Sequence, residues 1–522
     1  MNSKLKAQIK RPDKGSKRRP LFYLHSWLGF NIALFMALVI VTGTFAVISD
    51  EIDWLIHPEL RSSKEGKTVS WGTMENAVRA YAPYDTLLNL SAGEGDYFNY
   101  RARMLDLTQK TYYLYVDQYT GKIAGRTSTL TVQRFLRDLH RYLFMPSIIG
   151  LPLVTTMAIV LLISLYTGLK TTRNWRTIAT RIRFTKGARV AVGDFHKAIG
   201  LWGAWFLLLI VMTSFWYLAE LSFAVNRISF EPSRPSISSE RVAEYGAAVK
   251  LANSDDLVNA ALAVMPGFRP TEIQYSTRGG LAATVLGRMD DLIVRQRANR
   301  VFLDPLDASV IHAQRSTEIG WIAYVNELAD PLHFGSFGKL TTKIIWFVFG
   351  LGLLAMSLSG VYLTWKRVKS KTPTIAQFAT MPILLVTMLF GVSYVSSYLK
   401  PRLPENELSL SVNEPNFMSM ELKLTVDTEN KPTGAFRLIA NSGYRNLRLN
   451  LSHVSVSAIE KPSSEVQVRA RTLGSTVVFT GSLNDSDLTH DDLFLVSVTT
   501  LSDEKFDYIF DYSDLLETVS LK

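Results

Sequence analysis

No cysteine occurs anywhere in the 522 residues. That excludes disulfides, thiolate nucleophiles, cysteine-ligated iron–sulfur clusters and covalently attached c-type haem, which needs C-x-x-C-H. It does not fix a compartment, because cysteine-free chains suit oxidising and reducing surroundings alike. Acids are nearly absent from the long apolar runs, which lack the Asp and Glu that proton pumps usually place at mid-membrane. The basic segments between those runs contain no G-x-G-x-x-G opening a helix, and none is long enough to fold around a flavin or nicotinamide. Any redox cofactor is therefore held non-covalently, by histidine, methionine or oxygen ligands.

What is present is hydrophobic length. The chain is 47% hydrophobic with a formal charge of +11. A hydrocarbon core of about 30 Å needs about 20 mostly apolar residues. Five stretches qualify: residues 21–49, 146–169, 198–222, 340–365 and 375–399. Lys343, at the edge of the fourth, reads as a snorkelling side chain. The first stretch follows a basic tail, as a signal peptide would. Its apolar span is longer than an h-region and no A-x-A site follows, so it reads as a retained helix.

Basic residues set the orientation. The tail (1–20), the segment 170–197 with its single acid Asp194, and the link carrying Lys366, Arg367, Lys369 and Lys371 are rich in Lys and Arg. By the positive-inside rule these three are cytoplasmic. A nucleic-acid patch would not explain their alternation with apolar runs, so no nucleic-acid partner is expected. Residues 50–141 and 223–335 then face outward, as does a tail domain, 400–522, beyond the fifth span. In a Gram-negative host that side is the periplasm. The tail domain carries more acids than bases, and its runs LRLNLSHVSV, TVVFTGSL and LFLVSVTTL read as strands of a β-rich domain.

An internal repeat organises the rest. Helix one opens with L-H-S-W-L-G-F and helix three with F-H-K-A-I-G-L-W, so His25 and His196 are each followed four residues later by a glycine, Gly29 and Gly200. After each helix and its outer segment comes another histidine preceded by leucine: L-H-R-Y-L-F at His140 and L-H-F-G-S-F-G at His333. From these the distance to Gly168 and to Gly360 is similar. The outer segments both contain a strand–turn–strand pattern, YYLYVDQYTGKI with Asp117, Thr120 and Gly121, and RVFLDPLDASVI with Asp304 and Pro305. The second turn has lost the T-G pair. His57, His312, His453 and His490 have no matching context.

The ordering places His25 and His196 near the cytoplasmic edge and His140 and His333 near the outer edge. Ionisable residues in membrane bundles usually face the interior and mark function. Two neutral imidazoles from opposing helices can ligate one metal, and haem iron suits an apolar bundle. Gly29 and Gly200 would leave room for a porphyrin, or simply allow close helix packing. Zinc fits less well, since two histidines fall short of a four-ligand shell. The expected pairs are His25 with His196 and His140 with His333. Arg134, Arg137 and Arg141 near the outer histidines, and Lys197 near the inner ones, are candidates to neutralise haem propionates or to anchor at the interface. Asp50, Glu51 and Asp53 at the outer mouth of helix one are candidates to attract a cation or ferric complex, or simply solvated helix-end acids.

The segments LHSWLG, LHRYLF, DFHKAIGLW and LHFGSFG, with the D-x-x-T-G turn from Asp117 to Gly121, resemble the PepSY-associated transmembrane family. Among its members the similarity is to inner-membrane ferric-siderophore reductases. The resemblance covers about residues 17–370. It implies an α-helical membrane protein with a four-helix transmembrane core made of two helix–outer domain–helix repeats. A fifth transmembrane helix, α+β periplasmic PepSY-like insertions and a β-rich C-terminal domain complete the expected fold. It also implies haem b, two groups with bis-histidine ligation, and no catalytic residue beyond the ligands His25, His196, His140 and His333. Electrons would pass from a cytoplasmic donor (reduced flavin, a reductase or membrane quinol) to a ferric siderophore or other periplasmic ferric chelate, releasing ferrous iron. The expected location is the bacterial inner membrane, multi-pass and in lipid contact, with a cytoplasmic N-terminus. The alternative is a haem-free membrane scaffold or regulator whose PepSY-like domains bind a protease or sensor protein.

Overall fold

The computed structural model describes residues 18–63, 66–82, 85–105, 110–237, 248–275, 282–291, 293–366 and 375–399, and in the C-terminal part 407–413, 418–426, 432–442, 447–449, 451–459, 461–469, 472–473, 476–483, 493–500 and 505–511. The chain divides into two compact units. One, helical, comprises residues 1–56, 130–230 and 321–398; the other, rich in sheet, comprises 57–129, 231–320 and 399–522.

The helical unit begins with α1 (Arg18–Asn31) and α2 (Ala33–Val47), bent by 67° at the residue between them. The composition of residues 21–49 predicts one continuous span; two helices replace it. The cause is local. Asn31 is buried and its side-chain amide donates to the Trp27 carbonyl at 2.9 Å, a side-chain bond that competes with the backbone ladder and commonly bends a helix. After α3 (Ser49–Ile56) the chain leaves the unit and returns as α5 (Val132–Tyr142), which ends where Leu143 and Phe144 take left-handed backbone angles. Then follow α6 (Ser147–Thr155), α7 (Met157–Thr171) and the short α8 (Trp175–Thr180). The second half repeats the pattern. Helix α9 (Ala188–Trp202) is separated by Gly203 alone from α10 (Ala204–Val225), and α12 (Trp321–Phe334) leads into α13 (Lys339–Trp365). The breaks at Ile32 and Gly203 fall at the same distance after His25 and His196.

Among the described residues three helices are long and apolar enough to cross a membrane, residues 147–171, 204–225 and 336–365, or up to four when the bent pair is counted as one span. The predicted fifth span is a continuous helix, α14 (Ile375–Leu399), with an apolar stretch over Leu385–Tyr398. Between lipid-facing helices the hydrophobic effect contributes little, and close packing has to hold the bundle. Gly350 shows how: a Cβ there would stand 2.6 Å from Thr44 Oγ1, so only glycine lets α13 approach α2 this closely.

In the sheet unit, α4 (Trp71–Tyr81) precedes the meander β1 (Thr86–Ser91), β2 (Tyr100–Leu105), β3 (Thr111–Val116) and β4 (Ile123–Ser128). Helix α11 (Ser254–Val264) likewise precedes β6 (Arg269–Gln274), β7 (Ala283–Arg288), β8 (Asn299–Leu303) and β9 (Val310–Gln314). The two outer segments, expected as separate domains, share one sheet. Strands β1 and β6 pair antiparallel, with Leu90 opposite Ile273, giving the order β4-β3-β2-β1-β6-β7-β8-β9. That pairing removes an edge from each meander. Each half keeps its own core, Met74, Val78, Leu90 and Leu114 in one and Leu257, Met265, Ile273 and Val301 in the other, and Trp71 and Tyr275 pack against both. The helices cap each other. Asp255 accepts from the Gly72 amide and Ser70 hydroxyl, both at 2.8 Å, while Glu75 accepts from the Ser254 amide at 2.7 Å. A cap of this kind stabilises by about 1 kcal/mol.

The strand β5 (Ala248–Lys250) pairs with β13 (Leu447–Leu449). The remaining C-terminal strands form two antiparallel sheets. One orders β10 (Glu407–Asn413), β11 (Met418–Val426), β12 (Pro432–Ser442), β17 (Thr476–Ser482) and β16 (Thr472–Leu473). The other orders β15 (Lys461–Arg469), β14 (Leu451–Ala458), β18 (Leu493–Thr500) and β19 (Lys505–Asp511). The three runs read as strands fall on β13 and β14, on β17 and on β18. Val454, Val456 and Ala458, and opposite them Phe494, Val496 and Val498, alternate into the core with the period of two a half-buried strand requires.

Candidate functional site

Four helix positions carry the histidines: His25 on α1, His140 near the end of α5, His196 on α9 and His333 near the end of α12. The structure brings them together as two pairs. The ring centroids of His25 and His196 lie 6.2 Å apart with planes at 75°, and those of His140 and His333 lie 6.2 Å apart at 43°. A metal held at about 2 Å from one nitrogen of each of two opposed imidazoles puts the ring centroids about 6 Å apart. The angle between the planes is free, because rotation about the metal–nitrogen axis leaves that spacing unchanged.

The other nitrogen of each ring is already engaged. His25 Nδ1 donates to the Ser164 carbonyl and Thr167 Oγ1, both at 3.1 Å. His196 Nδ1 donates to the Met356 carbonyl and Ser359 Oγ, both at 2.9 Å. His140 Nδ1 donates to the Val39 carbonyl at 2.9 Å, with Thr42 Oγ1 at a marginal 3.5 Å. His333 Nδ1 donates to Thr213 Oγ1 at 2.8 Å. Each hydroxyl gives its own proton to a carbonyl of its helix, Thr167 to Ile163, Ser359 to Met356, Thr42 to Leu38 and Thr213 to Leu209, so toward the imidazoles they act as acceptors. Nδ1 therefore carries the hydrogen in all four rings. No hydrogen bond engages Nε2 of any of them among the described residues, which leaves that lone pair for a ligand. This is the outer-shell arrangement that fixes a metal-binding histidine's tautomer and orientation.

Small residues make room for the rings. A Cβ at Gly168 or at Gly360 would stand 3.3 Å from Cε1 of His25 or His196, and one at Gly43 would press on the His140 ring. By spacing alone Gly168 and Gly360 read only as helix-end glycines, and the hydroxyl residue beside each small one carries no mark of its role. A signal exists all the same: Thr42-Gly43 and Thr213-Ser214 stand at one fixed distance after His25 and His196, and Thr167-Gly168 and Ser359-Gly360 at nearly one distance after His140 and His333. Gly29 and Gly200, expected to leave porphyrin space, differ. A Cβ at Gly29 would meet open space, while one at Gly200 would stand 3.3 Å from Met356 Sδ.

Beside the second pair lies a cavity lined by His140, His333, Arg137, Arg141, Tyr217 and Asp330. Arg137 and Arg141 keep the placement expected of them. Arg134 does not, because its guanidinium bonds Asp138 at 2.8 Å, where Tyr394 of α14 also donates at 2.6 Å. Helix α14 thus packs on the helix that carries His140, a neighbour the sequence pattern did not reveal. Lys197 is exposed.

The three acids of α3 make contacts within the helical unit. Asp53 is buried and accepts from the Val132 and Gln133 amides at 2.7 and 2.9 Å, closing the N-terminus of α5. Burial pushes its carboxyl above the ordinary range against the pull of those amides. Asp50 and Glu51 pair with Lys343 at 3.5 and 3.1 Å. Lys343 does not snorkel: its side chain is only 3% exposed. A buried ammonium needs a partner carboxylate, and these two supply it. Asp194, the single acid of the 170–197 segment, accepts a two-pronged bond from Arg183.

Of the unmatched histidines, His57 lies 3.5 Å from Glu59, His312 stacks on Phe302 and His453 sits in β14; His490, the basic tail before residue 18, and Arg367, Lys369 and Lys371 lie outside the described residues. Also among the described residues, no group of three or more His, Cys, Asp or Glu could hold a metal ion, and each histidine pair could offer two imidazole nitrogens. That donor set suits a metal whose other ligands come from a macrocycle.

An uncharacterized protein of Pseudomonas aeruginosa is 26% identical over 258 residues, covering 46% of this chain and 64% of that protein, so the chain spans just under two thirds of that relative's length. A family model described as the PepSY-associated TM region matches residues 22–367, a stretch that holds all four histidines and every anchor of their Nδ1 atoms. With its apolar helices and this match over most of its length, the chain is a membrane protein that belongs to the PepSY-associated TM family.

Proposed function

We propose that the protein is a haem-containing oxidoreductase of the bacterial inner membrane that passes electrons from the cytoplasmic side to a periplasmic ferric chelate, of which a ferric siderophore is the prime candidate. The observation that carries this reading is the matched pair of imidazole pairs. Both stand 6.2 Å apart, both are anchored through Nδ1, and both leave Nε2 unengaged.

His25 and His196 would hold one haem b and His140 and His333 another. When bound, such a group supplies one-electron chemistry, its iron alternating between ferric and ferrous. The chain's own part is to hold the rings in place, set their basicity through the Nδ1 bonds and exclude water with the apolar packing around α2, α7, α10 and α13. Arg137 and Arg141 bring positive charge to the cavity by the second pair, where carboxylates at a haem edge would need it. The basic segment 170–197 puts the first pair at the cytoplasmic end under the positive-inside rule. Along α1 and α2, fourteen residues separate His25 from Val39, whose carbonyl anchors His140. At 1.5 Å per residue, shortened by the bend, the pairs stand on the order of 20 Å apart. Two stations would divide the crossing.

The acceptor follows from the chemistry of iron. Ferrous iron carries less charge than ferric, and oxygen-rich chelators hold it less tightly, so a one-electron reduction releases it. The basic segments assigned to the cytoplasmic side are too short to fold around a nucleotide, so the donor would be a reduced flavin, a partner reductase or membrane quinol.

The test is an absorption spectrum of detergent-purified protein from haem-replete cells. A Soret band that shifts on dithionite addition, and back on addition of ferric siderophores, supports the reading. A colourless preparation overturns it and leaves the scaffold reading in its place.

A further inference from the structure

The two histidine pairs are alike in spacing and unlike in what holds them. At the first pair each Nδ1 meets both a backbone carbonyl and a hydroxyl oxygen, at 2.9–3.1 Å. At the second pair His140 meets one carbonyl well, and among the described residues His333 meets no carbonyl, only the Thr213 hydroxyl. The reason is one residue. Val39 and Ile210 hold equivalent places in the repeat, as do Gly43 and Ser214. Gly43 lets the His140 ring close on α2 and reach the Val39 carbonyl. Ser214 stands in that space instead, and its hydroxyl donates to the Ile210 carbonyl at 2.8 Å. Thr213 shares its proton between Leu209 and Ile210, as Thr42 does between Leu38 and Val39, so the Ser214 hydroxyl is what sets the Ile210 carbonyl apart from its counterpart.

Acceptors at Nδ1–H make an imidazole a stronger donor through Nε2, and a stronger donor stabilises the more oxidised metal. We infer that Thr213 is the positioning residue on which His333 alone depends, and that the poorer set of acceptors gives the second pair the higher reduction potential of the two. This rests on the haem reading above. One electron leaving a ferrous centre at the first pair and arriving at a ferric centre at the second would then run downhill, from the cytoplasmic end outward, with the hydrogen-bond pattern as the source of direction.

The experiment is a potentiometric titration of the full-length protein, following the Soret and α bands, with each transition assigned by the band lost in His25→Ala and in His333→Ala. The transition of the second pair is expected at the higher potential. Thr213→Val, close in shape, removes the last acceptor of His333. It should raise that potential further and weaken haem retention at the second pair about 10-fold or more. Thr42→Val should leave the same transition nearly unmoved, because the Val39 carbonyl still holds His140. Thr213→Ser, which keeps the hydroxyl, should restore both readouts, which a general packing defect would not allow. A second-pair potential below that of the first overturns the inference, as do equal responses to Thr42→Val and Thr213→Val. A wild type without haem removes the functional reading itself, whereas haem at both pairs with the wrong order of potentials removes this inference alone.

Discussion

The first half of the helical unit (α1 to α7) and the second half (α9 to α13) keep the same histidines, the same breaks in the helix after them and the same hydroxyls behind them, yet they differ in the residues around those fixed points. Where the first half has Gly150, ten residues after His140, the second has Lys343, ten after His333, and Lys343 has recruited Asp50 and Glu51 from the other half. Where the first has Gly43 the second has Ser214. The lesson is that the repeat keeps its paired-imidazole spacing strictly while the supporting contacts drift, so that two equivalent places carry different hydrogen-bond partners.

Removing a histidine breaks the comparison most severely. His25→Ala or His196→Ala should empty the first pair and spare the second, and His140→Ala or His333→Ala the reverse, so haem per chain falls by half in each, as a pyridine haemochrome assay will read. Transmembrane reduction of a ferric siderophore should vanish in all four, because each station is in series with the other. Loss of haem from both pairs in any single variant would show that the two halves do not fold as independent ligand frames.

Next in size is the contact that only the second half makes. Lys343→Ala leaves Asp50 and Glu51, 29% and 18% exposed, without their cation, and losing a partly buried pair of this kind costs on the order of 2–3 kcal/mol, less than a fully buried one. Thermal unfolding in detergent should show the loss. Gly150→Ala tests the matching place in the first half through sterics alone, since a Cβ there runs into the Tyr142 backbone. If Lys343→Ala unfolds no earlier than wild type, the cluster is ornamental.

Much of this is legible in the one-dimensional pattern. The apolar runs and the repeat locate the histidines, and their paired order along alternating helices decides which of them meet. Three things are hidden there, each for a physical reason. Composition averages over a window, so the bend at Ile32 does not register, although a buried Asn31 inside an apolar run is its mark. The joining of two meanders through β1 and β6 depends on pairing between strands nearly two hundred residues apart, which no local pattern encodes. The fates of Asp50, Glu51, Asp53 and Arg134 depend on which neighbours arrive, Lys343, the start of α5 and Asp138, and a solvated acid and a buried one look the same in one dimension.

The two turns of the shared sheet extend the comparison to pH. Asp117 accepts from the Ser63 amide and hydroxyl at 2.7 and 3.0 Å, and from the Tyr119 and Thr120 amides, both at 2.9 Å. Burial pushes its carboxyl up, but those four donors outweigh it and hold it below the ordinary range. A depressed folded value means that the unfolded chain binds the proton first as pH falls. The stabilisation is complete above the unfolded value of about 4 and disappears as pH drops through the folded one. Asp117→Asn should therefore cost about 2 kcal/mol at neutral pH and nothing at the acid end. Unfolding followed from pH 7 downward checks this. A difference between wild type and variant that stays constant with pH would deny Asp117 its part as a charged acceptor.

The smallest effect comes from the same turns, by exchange. Gly121 closes the first with φ +69°, and its amide bonds the Asp117 carbonyl; Ala308 closes the second with φ +60°, and its amide bonds the Asp304 carbonyl. A left-handed backbone suits glycine and strains alanine. Ala308→Gly should therefore stabilise the second turn by about 1 kcal/mol, even though glycine is the more flexible residue when unfolded. Gly121→Ala should destabilise the first by at least as much, since its Cβ would also stand 3.2 Å from Thr73 Cγ2. Opposite shifts in denaturation midpoint from the two exchanges would show that the lost T-G pair is a tolerated cost at Ala308. Shifts of the same sign would mean that the second turn has been rebuilt around Pro305 and no longer answers to the geometry of the first.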